Sequence, residues 1–221
     1  MKQYLHFILN AILNLIYPKV CGICDEICEK DLCKKCEIKL NKIAVLKKRI
    51  YLTKYYGKHF YLFVYDGILK ERIVNYKFNG KSYIYKSFVN FMIKNKKVCD
   101  FLKSYDIIIP VPIHVKRKRK RGYNQCELIA NDLATYFENL TCVTKVLYKK
   151  IHTKPQSTKT KQERKSNIQG VYQLRHKEII KGKKILLFDD IYTTGSTVNE
   201  CCKVLKQADI QLVDVLTIAQ D

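Results

Sequence analysis

The stretch ILLFDDIYTTGST, residues 185–197, decides the predicted fold. Its apolar part, residues 185–188, predicts a buried strand, and a helix is predicted from Thr197 to about Ala208. A helix N-terminus presents unpaired N–H groups and the positive end of the helix dipole, so the intervening loop of small hydroxyl residues can wrap a phosphate, with a glycine allowing close backbone approach. The predicted phosphate-binding residues are Thr193, Thr194, Gly195, Ser196 and Thr197.

Asp189 and Asp190 follow the predicted strand directly. Ligands of open parallel sheets bind at the carboxyl ends of the strands, where a carboxylate pair suits vicinal hydroxyls or hydrated magnesium. A second interpretation is a plain turn, in which Thr197 caps the helix and the aspartates are merely solvated. The complete pattern favours a ribose phosphate ligand.

Strands and helices alternate along the rest of the chain. This order predicts an α/β fold, a parallel sheet flanked by helices and joined by right-handed crossovers. The fold is expected to occupy residues 46–221, after a Lys-rich connection at about residues 41–58. The further predicted strands are residues 59–65, 106–111, 142–147 and 210–218, and the further predicted helices follow Asp66-Gly67, Gly80 and Asn124.

Two Cys-x-x-Cys pairs, Cys21 with Cys24 and Cys33 with Cys36, predict a tetrahedral structural zinc site. Cys28 stands between the pairs and is expected to be a bystander or a spare ligand. An iron–sulfur cluster or reduced thiols are the alternatives. Together with a preceding helix, this cluster defines a small N-terminal zinc-binding module, residues 1–45.

Residues 1–17 predict an amphipathic helix with a polar stripe of His6, Asn10 and Asn14, ended by Tyr17-Pro18. The stretch is too short to span a bilayer and lacks a small-residue cleavage site, so we expect no membrane span and a cytoplasmic protein.

The net charge is +22, which favours polyanionic partners. Part of it comes from the unbroken basic run Lys116 to Arg121, predicted to lie in a loop before the helix that starts at Asn124. This run could clamp a diphosphate, with Arg121, Lys120 and Arg119 as contacts, or follow single-stranded DNA with Tyr123 near a base. A solvated charge run is the third interpretation.

Residues 149–169 are polar and predict a long loop of the kind that forms active-site lids. Gln156, Arg164 and Asn167 are its candidate ligand contacts. Ordinary solvated polarity is the alternative for all of them.

At residues 185–197 the chain resembles the type I phosphoribosyltransferases. The resemblance implies that Thr193 to Thr197 hold a 5-phosphate, that Asp189 and Asp190 contact ribose hydroxyls, and that magnesium bridges the diphosphate of phosphoribosyl diphosphate. The Cys-x-x-Cys pairs and the segments 66–80 and 111–125 are further similar to the ComF family, which joins a four-cysteine finger to this domain and is associated with DNA uptake in competence. Residues 149–162 depart from that family's pattern, with lysine and threonine where arginine and leucine are expected.

These observations leave two functions open. The chain could be an enzyme that transfers a phosphoribosyl group, with Asp189 and Asp190 orienting the ribose and magnesium neutralising the departing diphosphate. It could instead be a binding protein that senses a phosphoribosyl ligand while its finger and basic surface engage single-stranded DNA or competence partners. No sequence feature identifies an acceptor. A purely structural zinc protein would leave the phosphate loop unexplained.

Overall fold

The computed structural model describes residues 18–52, 55–151 and 170–221. The helix predicted for residues 1–17 and the lid candidates Gln156, Arg164 and Asn167 lie outside the described residues. Across the described parts of the chain, every helix is too short or too polar to span a bilayer.

The centre of the fold is a sheet in the order β1-β2-β8-β7-β3-β4. The pairs β2/β8, β8/β7, β7/β3 and β3/β4 are parallel, as predicted, whereas β1 lies antiparallel to β2 at the edge. The predicted Lys-rich connection therefore contains a strand that the sequence prediction missed. The strands of this sheet are β1 (Lys47–Ile50), β2 (Lys58–Val64), β3 (Ile107–Pro110), β4 (Thr141–Cys142), β7 (Lys184–Tyr192) and β8 (Leu212–Gln220).

The two central strands, β7 and β8, are buried along almost their whole length. Both strands consist mostly of apolar residues, as expected for parallel strands covered on both faces. The buried Asp214 of β8 accepts hydrogen bonds from the Tyr105 hydroxyl at 2.7 Å and from the backbone N–H of Lys58 at 2.6 Å. The Asp214 carboxylate, although buried in the sheet, thus has a hydrogen-bond donor at each of its oxygens.

Helices cover both faces of the sheet. Asp66 caps α2 by accepting a hydrogen bond from the N–H of Gly67, and Asn124 caps α6 through the N–H of Cys126, so both predicted starts are confirmed. The helices are α1 (Lys34–Ile43), α2 (Gly67–Phe78), α3 (Ile84–Lys94), α4 (Lys96–Leu102), α5 (Val115–Arg121), α6 (Gln125–Ala134) and α7 (Ser196–Leu205).

The prediction of a loop for the basic run was wrong, because residues 115–121 form α5. His114 caps this helix by accepting from the N–H of Lys116, and Gly122 ends it at φ 87°. A glycine in the left-handed region commonly terminates a helix. The like charges of the run do not prevent a short helix whose ends are capped.

The predicted strand at residues 142–147 was also wrong. Strand β4 pairs with β3 over only two positions, and the chain then leaves the sheet. It forms β5 (Leu147–Lys149), which pairs antiparallel with β6 (Tyr172–Leu174) in a separate hairpin. The pairing partner lies beyond a long intervening segment, so the local pattern could not indicate where one strand ends and the next begins.

The cysteine-rich segment packs against the main core. Cys21, Ile23, Leu32 and Leu40 are buried in the same apolar cluster as residues of α3 and of the sheet. The N–H of Gly22 donates to the Ser87 hydroxyl at 2.9 Å, and a Cβ at this position would lie 2.8 Å from the Ile84 Cα. Only glycine allows the two backbones to approach this closely.

Candidate functional site

Asp189 and Asp190 lie near the carboxyl end of β7, which continues to Tyr192. Their exposed fractions are only 8% and 3%. Buried carboxylates require compensation by cations or hydrogen-bond donors. The neighbours of this pair therefore define the site.

Asp190 is engaged through both carboxylate oxygens. The Lys77 ammonium of α2 lies 2.8 Å from Oδ1, and the Gln125 side-chain amide of α6 donates to Oδ2 at 2.8 Å. The Arg121 guanidinium in turn donates to the Oε1 atom of Gln125. Helices α2, α5 and α6 thus meet at a single carboxylate.

Asp189 has weaker compensation. Its Oδ1 accepts from the N–H of Asp190 at 2.9 Å and faces the Cys126 thiol at 3.5 Å. Burial and the adjacent charge of Asp190 raise the pKa of Asp189 to about 7, although Lys77 acts in the opposite direction. This carboxyl group therefore changes its charge near neutral pH.

The sequence prediction missed Lys77, Gln125 and Cys126. Lys77 did carry a signal, because it continues the apolar face of α2, where a lysine needs an anionic partner. Gln125 and Cys126 occupy the first turn of α6 and carry no comparable signal.

The predicted phosphate loop turns through Gly195, whose φ of 72° places it in the left-handed region at the start of α7. A Cβ at Gly195 would collide with the Tyr192 side chain, which is held by a 2.8 Å contact between the Tyr192 and Tyr56 hydroxyls. The Thr194 and Ser196 hydroxyls lie 2.8 Å apart, and Thr194 also accepts from the N–H of Ser196. Hydroxyls and helix N–H groups are thus clustered where a phosphate was predicted.

The three basic residues of α5 that were predicted to contact a diphosphate or DNA differ in their surroundings. Arg121 reaches the carboxylate pair through Gln125 and lies 5.4 Å from the centre of the Phe78 ring. Burial lowers its pKa from the ordinary value, although Asp190 opposes this shift. Arg119 and Lys120 are exposed on α5. Arg121 alone among them therefore joins the site.

Tyr123 does not offer a free ring for a base. It stacks on Tyr76 with ring centres 5.5 Å apart, and its hydroxyl donates to the Tyr76 carbonyl. The predicted stacking role of Tyr123 next to a nucleotide is thus disfavoured by contacts that hold this ring against α2.

The hairpin of β5 and β6 adds a cation near the pair. The Lys149 ammonium lies 5.5 Å from the centre of the Tyr172 ring. Burial, and next the positive charge of Arg117, lower the pKa of Lys149, while Asp189 raises it. The negative charge of Asp189 thus acts on Lys149 of this hairpin as well as on Lys77 of α2.

The four predicted zinc ligands come together. The sulfur atoms of the tetrad all lie within 4.8 Å of one another. The Cys36 N–H points to the Cys33 sulfur at 3.4 Å, and the Cys33 N–H points to the Cys21 sulfur at 3.5 Å, as in thiolate knuckles around a metal. Cys28 instead donates to the Lys30 carbonyl. The donor set fits a structural zinc ion, and the tetrad is Cys21, Cys24, Cys33 and Cys36.

The carboxylate pair does not by itself form a magnesium cage. Cys126, Asp189 and Asp190 bring a sulfur and two carboxylates within 4.8 Å, but Lys77 and Gln125 already engage Asp190. Magnesium prefers oxygen ligands and commonly binds through substrate phosphates. A bound diphosphate would have to supply most of its ligands here.

Comparison with known proteins agrees with this geometry. Residues 124–221 match the family described as phosphoribosyl transferase domain. Competence protein F of Haemophilus influenzae is 29% identical over 154 residues, which are 67% of this chain and 66% of that protein. Competence protein ComFC of Streptococcus pneumoniae is 31% identical over 162 residues, 73% of this chain and 68% of that protein.

A more distant relative is the DNA utilization protein YhgH of Shigella flexneri, 30% identical over 112 residues, 50% of this chain and 47% of that protein. The chain thus spans about two thirds of the length of the two competence proteins and about half of the DNA utilization protein.

The tetrad predicts a specific metal dependence. Cys21→Ser should lower the zinc content well below one equivalent and lower the melting temperature, because binding energy of a structural zinc is folding energy. Cys28→Ser is the matched control and should keep its zinc, because Cys28 bonds to a carbonyl outside the tetrad. The measurement is metal analysis of both purified variants; equal zinc in the two would contradict the tetrad.

The raised pKa of Asp189 predicts a pH-dependent stability. The folded chain binds this proton up to about pH 7, whereas the ordinary value is 3.8, so the group's contribution to stability is lost as the pH rises between these values. Asp189→Asn, without ligand, should melt higher than the unchanged protein at pH 8, with a difference that shrinks as the pH falls through 7 and vanishes only below about pH 4. Since about 1 kcal/mol moves the melting temperature of a chain this size by about 2–4 °C, the gain should be a few degrees.

The matched control is Asp100→Asn, which removes an exposed carboxylate from α4. It should show no comparable pH-dependent gain. A constant difference between Asp189→Asn and the unchanged protein from pH 5 to 8 would refute the assignment.

Proposed function

Because this chain belongs to the ComF family of competence proteins, we propose that its phosphoribosyltransferase-type domain binds phosphoribosyl diphosphate at residues 189–197 as part of DNA uptake. The observation that carries the proposal is the convergence of a buried carboxylate pair, a hydroxyl-rich loop at a helix N-terminus and the Lys77 ammonium. In this proposal the carboxylate pair binds the ribose hydroxyls, the loop binds the 5-phosphate, and Lys77 attracts the diphosphate of the same ligand.

The loop is suited to the 5-phosphate. The N-terminus of α7 supplies N–H groups, and the Thr194 and Ser196 hydroxyls are already adjacent. Such an arrangement binds a dianion through hydrogen bonds and the helix dipole. Gly195 allows the left-handed turn that places these groups at the start of the helix.

The ribose would lie against the acidic pair. Asp189 is the better acceptor for a ribose hydroxyl, because it makes fewer strong contacts than Asp190. Lys77 contacts Asp190 directly, Arg121 reaches it through Gln125, and both positive charges would attract the diphosphate. Magnesium bound with the diphosphate would neutralise its charge.

The reaction that this arrangement could support is phosphoribosyl transfer. The bond between C1 of the ribose and the diphosphate oxygen breaks, the diphosphate leaves with the bonding electrons, and an acceptor nucleophile bonds to C1. The developing positive charge on the ring would be stabilised by the nearby carboxylates. No protein nucleophile is needed, and we propose ligand binding as the primary property, with turnover dependent on an acceptor.

We further propose that the protein acts in the cytoplasm. Its cysteines are free thiols in the described part of the chain, and a zinc tetrad needs reduced thiolates. A reducing compartment would maintain both.

The proposal predicts magnesium-dependent binding of phosphoribosyl diphosphate. Calorimetric titration of the unchanged protein should show saturable heat with magnesium present. The double variant Asp189→Asn with Asp190→Asn should lose at least about tenfold in affinity, since about 1.4 kcal/mol of lost charge-assisted contacts corresponds to a factor of ten.

Asp100→Asn, which removes one exposed carboxylate away from the site, serves as the control and should bind like the unchanged protein. Absence of heat from the unchanged protein, together with no ligand-induced shift in melting temperature, would disprove ligand binding at this site.

A second function, binding of single-stranded DNA, is favoured by the exposed basic face of α5. Lys116, Arg119 and Lys120 are all exposed there, beside a net charge of +22 for the chain. Clustered cations neutralise DNA phosphates and release counterions. On this proposal the domain would handle incoming strands while its pocket senses the phosphoribosyl ligand.

Lys116→Gln, Arg119→Gln and Lys120→Gln combined should weaken binding of a fluorescent oligonucleotide and flatten its dependence on salt, because each lost phosphate contact removes about 0.7 from the slope of log K against log salt. Phosphoribosyl diphosphate affinity should stay unchanged in this triple variant. An unaltered salt slope would exclude α5 as the DNA-binding surface.

A further inference from the structure

Helix α2 is held from two directions. Its Arg72 guanidinium lies 2.7 Å from an Asp25 carboxylate oxygen, and its Lys77 ammonium lies 2.8 Å from Asp190. Asp25 directly follows Cys24, a residue of the cysteine tetrad, whereas Asp190 belongs to the candidate ligand site. One short helix therefore connects the cysteine module with the carboxylate pair.

Asp25 is well fixed at its end of this connection. It adopts a left-handed backbone conformation, φ 62°, and its N–H donates to the Cys21 carbonyl at 2.8 Å. Besides Arg72, its carboxylate accepts from Lys81 at 2.6 Å and from the Tyr83 hydroxyl at 2.7 Å. The cysteine knuckle thus sets where this carboxylate stands.

The other end of α2 reaches the site through more than Lys77. The Tyr76 hydroxyl donates to the Gln125 carbonyl at 2.7 Å, and the Gln125 side chain donates to Asp190. Tyr76 is fully buried. A shift of α2 would therefore disturb both groups that neutralise and orient Asp190.

We propose that Asp25 and Arg72 are positioning residues for the ligand site: the cysteine module, through this ion pair, fixes α2 so that Lys77 stays against Asp190. This inference rests on the proposed binding of a phosphoribosyl ligand and falls with it. On this proposal the cysteine module affects ligand affinity, which is a role separate from any contact with DNA. Zinc occupancy and ligand affinity are then coupled through a chain of named contacts.

A double-mutant cycle distinguishes positioning from general stabilisation. If Arg72 acts through Lys77, the effect of removing Arg72 disappears once Lys77 is gone, whereas independent effects add. Arg72→Met should fold, because Asp25 keeps Lys81 and Tyr83 as partners. Arg72→Lys, which retains the charge, serves as a rescue variant, and Arg72→Gln is the substitute if Arg72→Met does not fold.

The experiment is calorimetric titration with phosphoribosyl diphosphate and magnesium, on full-length zinc-loaded variants below their melting temperatures. Arg72→Met should weaken binding about tenfold in the unchanged background but less than about twofold in the Lys77→Met background, since the effects of residues that act through one another are not additive. Arg72→Lys should recover most of the affinity.

The matched control is Lys81→Met, which removes another ion pair of the same Asp25 but from a residue beyond the end of α2. It should lower the melting temperature while leaving affinity within about twofold of the unchanged protein.

The proposal would be overturned by the same loss from Arg72→Met in both backgrounds, or by unchanged affinity in Arg72→Met. An equal loss in Lys81→Met would also overturn it, because loosening of the whole module would then explain the effect. Failure of the unchanged protein to bind is a separate result, which refutes the proposed function itself and removes the basis of this inference.

Discussion

The ion pair between Lys77 and Asp190 is the interaction on which the rest of the site depends. Two adjacent carboxylates are buried near the carboxyl end of β7, where isolated charges are very costly. The Lys77 ammonium and the Gln125 amide meet this requirement for Asp190, and they come from different helices. Helices α2 and α6 must therefore converge at the carboxyl end of β7, and their caps at Asp66 and Asn124 fix where they begin.

Asp189 and Asp190 are not compensated equally, and the difference between them is typical of a functional site. Asp190 has a full ion pair, whereas Asp189 keeps mainly a backbone N–H and a thiol. The raised pKa of Asp189 is the electrostatic consequence. A protein selected for stability alone would have an apolar residue or a second cation here. Poorly compensated buried carboxylates are typical of functional sites, since a ligand supplies the missing partner.

The sequence predicted the parts of the fold that depend on local pattern. The apolar runs of β3, β7 and β8, the helix starts after Asp66 and Asn124, and the proximity of the Cys-x-x-Cys pairs all depend on residues close along the chain, and the structure confirms them. Strand β1 and the hairpin of β5 and β6 were not predicted, because their pairing partners are distant and their residues are charged or mixed. In the site, Asp189 and the loop through Gly195 carried a motif, whereas Gln125 and Cys126 acquire their roles only when α6 packs against β7.

Close packing also explains how the cysteine module can matter to a site at the other end of α2. Cys21 and Leu40 share a core with α3 and the sheet, so the module behaves as part of one packed unit. Packed interiors transmit displacement because they contain few voids. Helix α2 lies between the two regions and carries a cation to each, Arg72 to Asp25 and Lys77 to Asp190. If either carboxylate moves, the helix must shift or one ion pair must break, and the buried pair at Asp190 is the costlier of the two to lose.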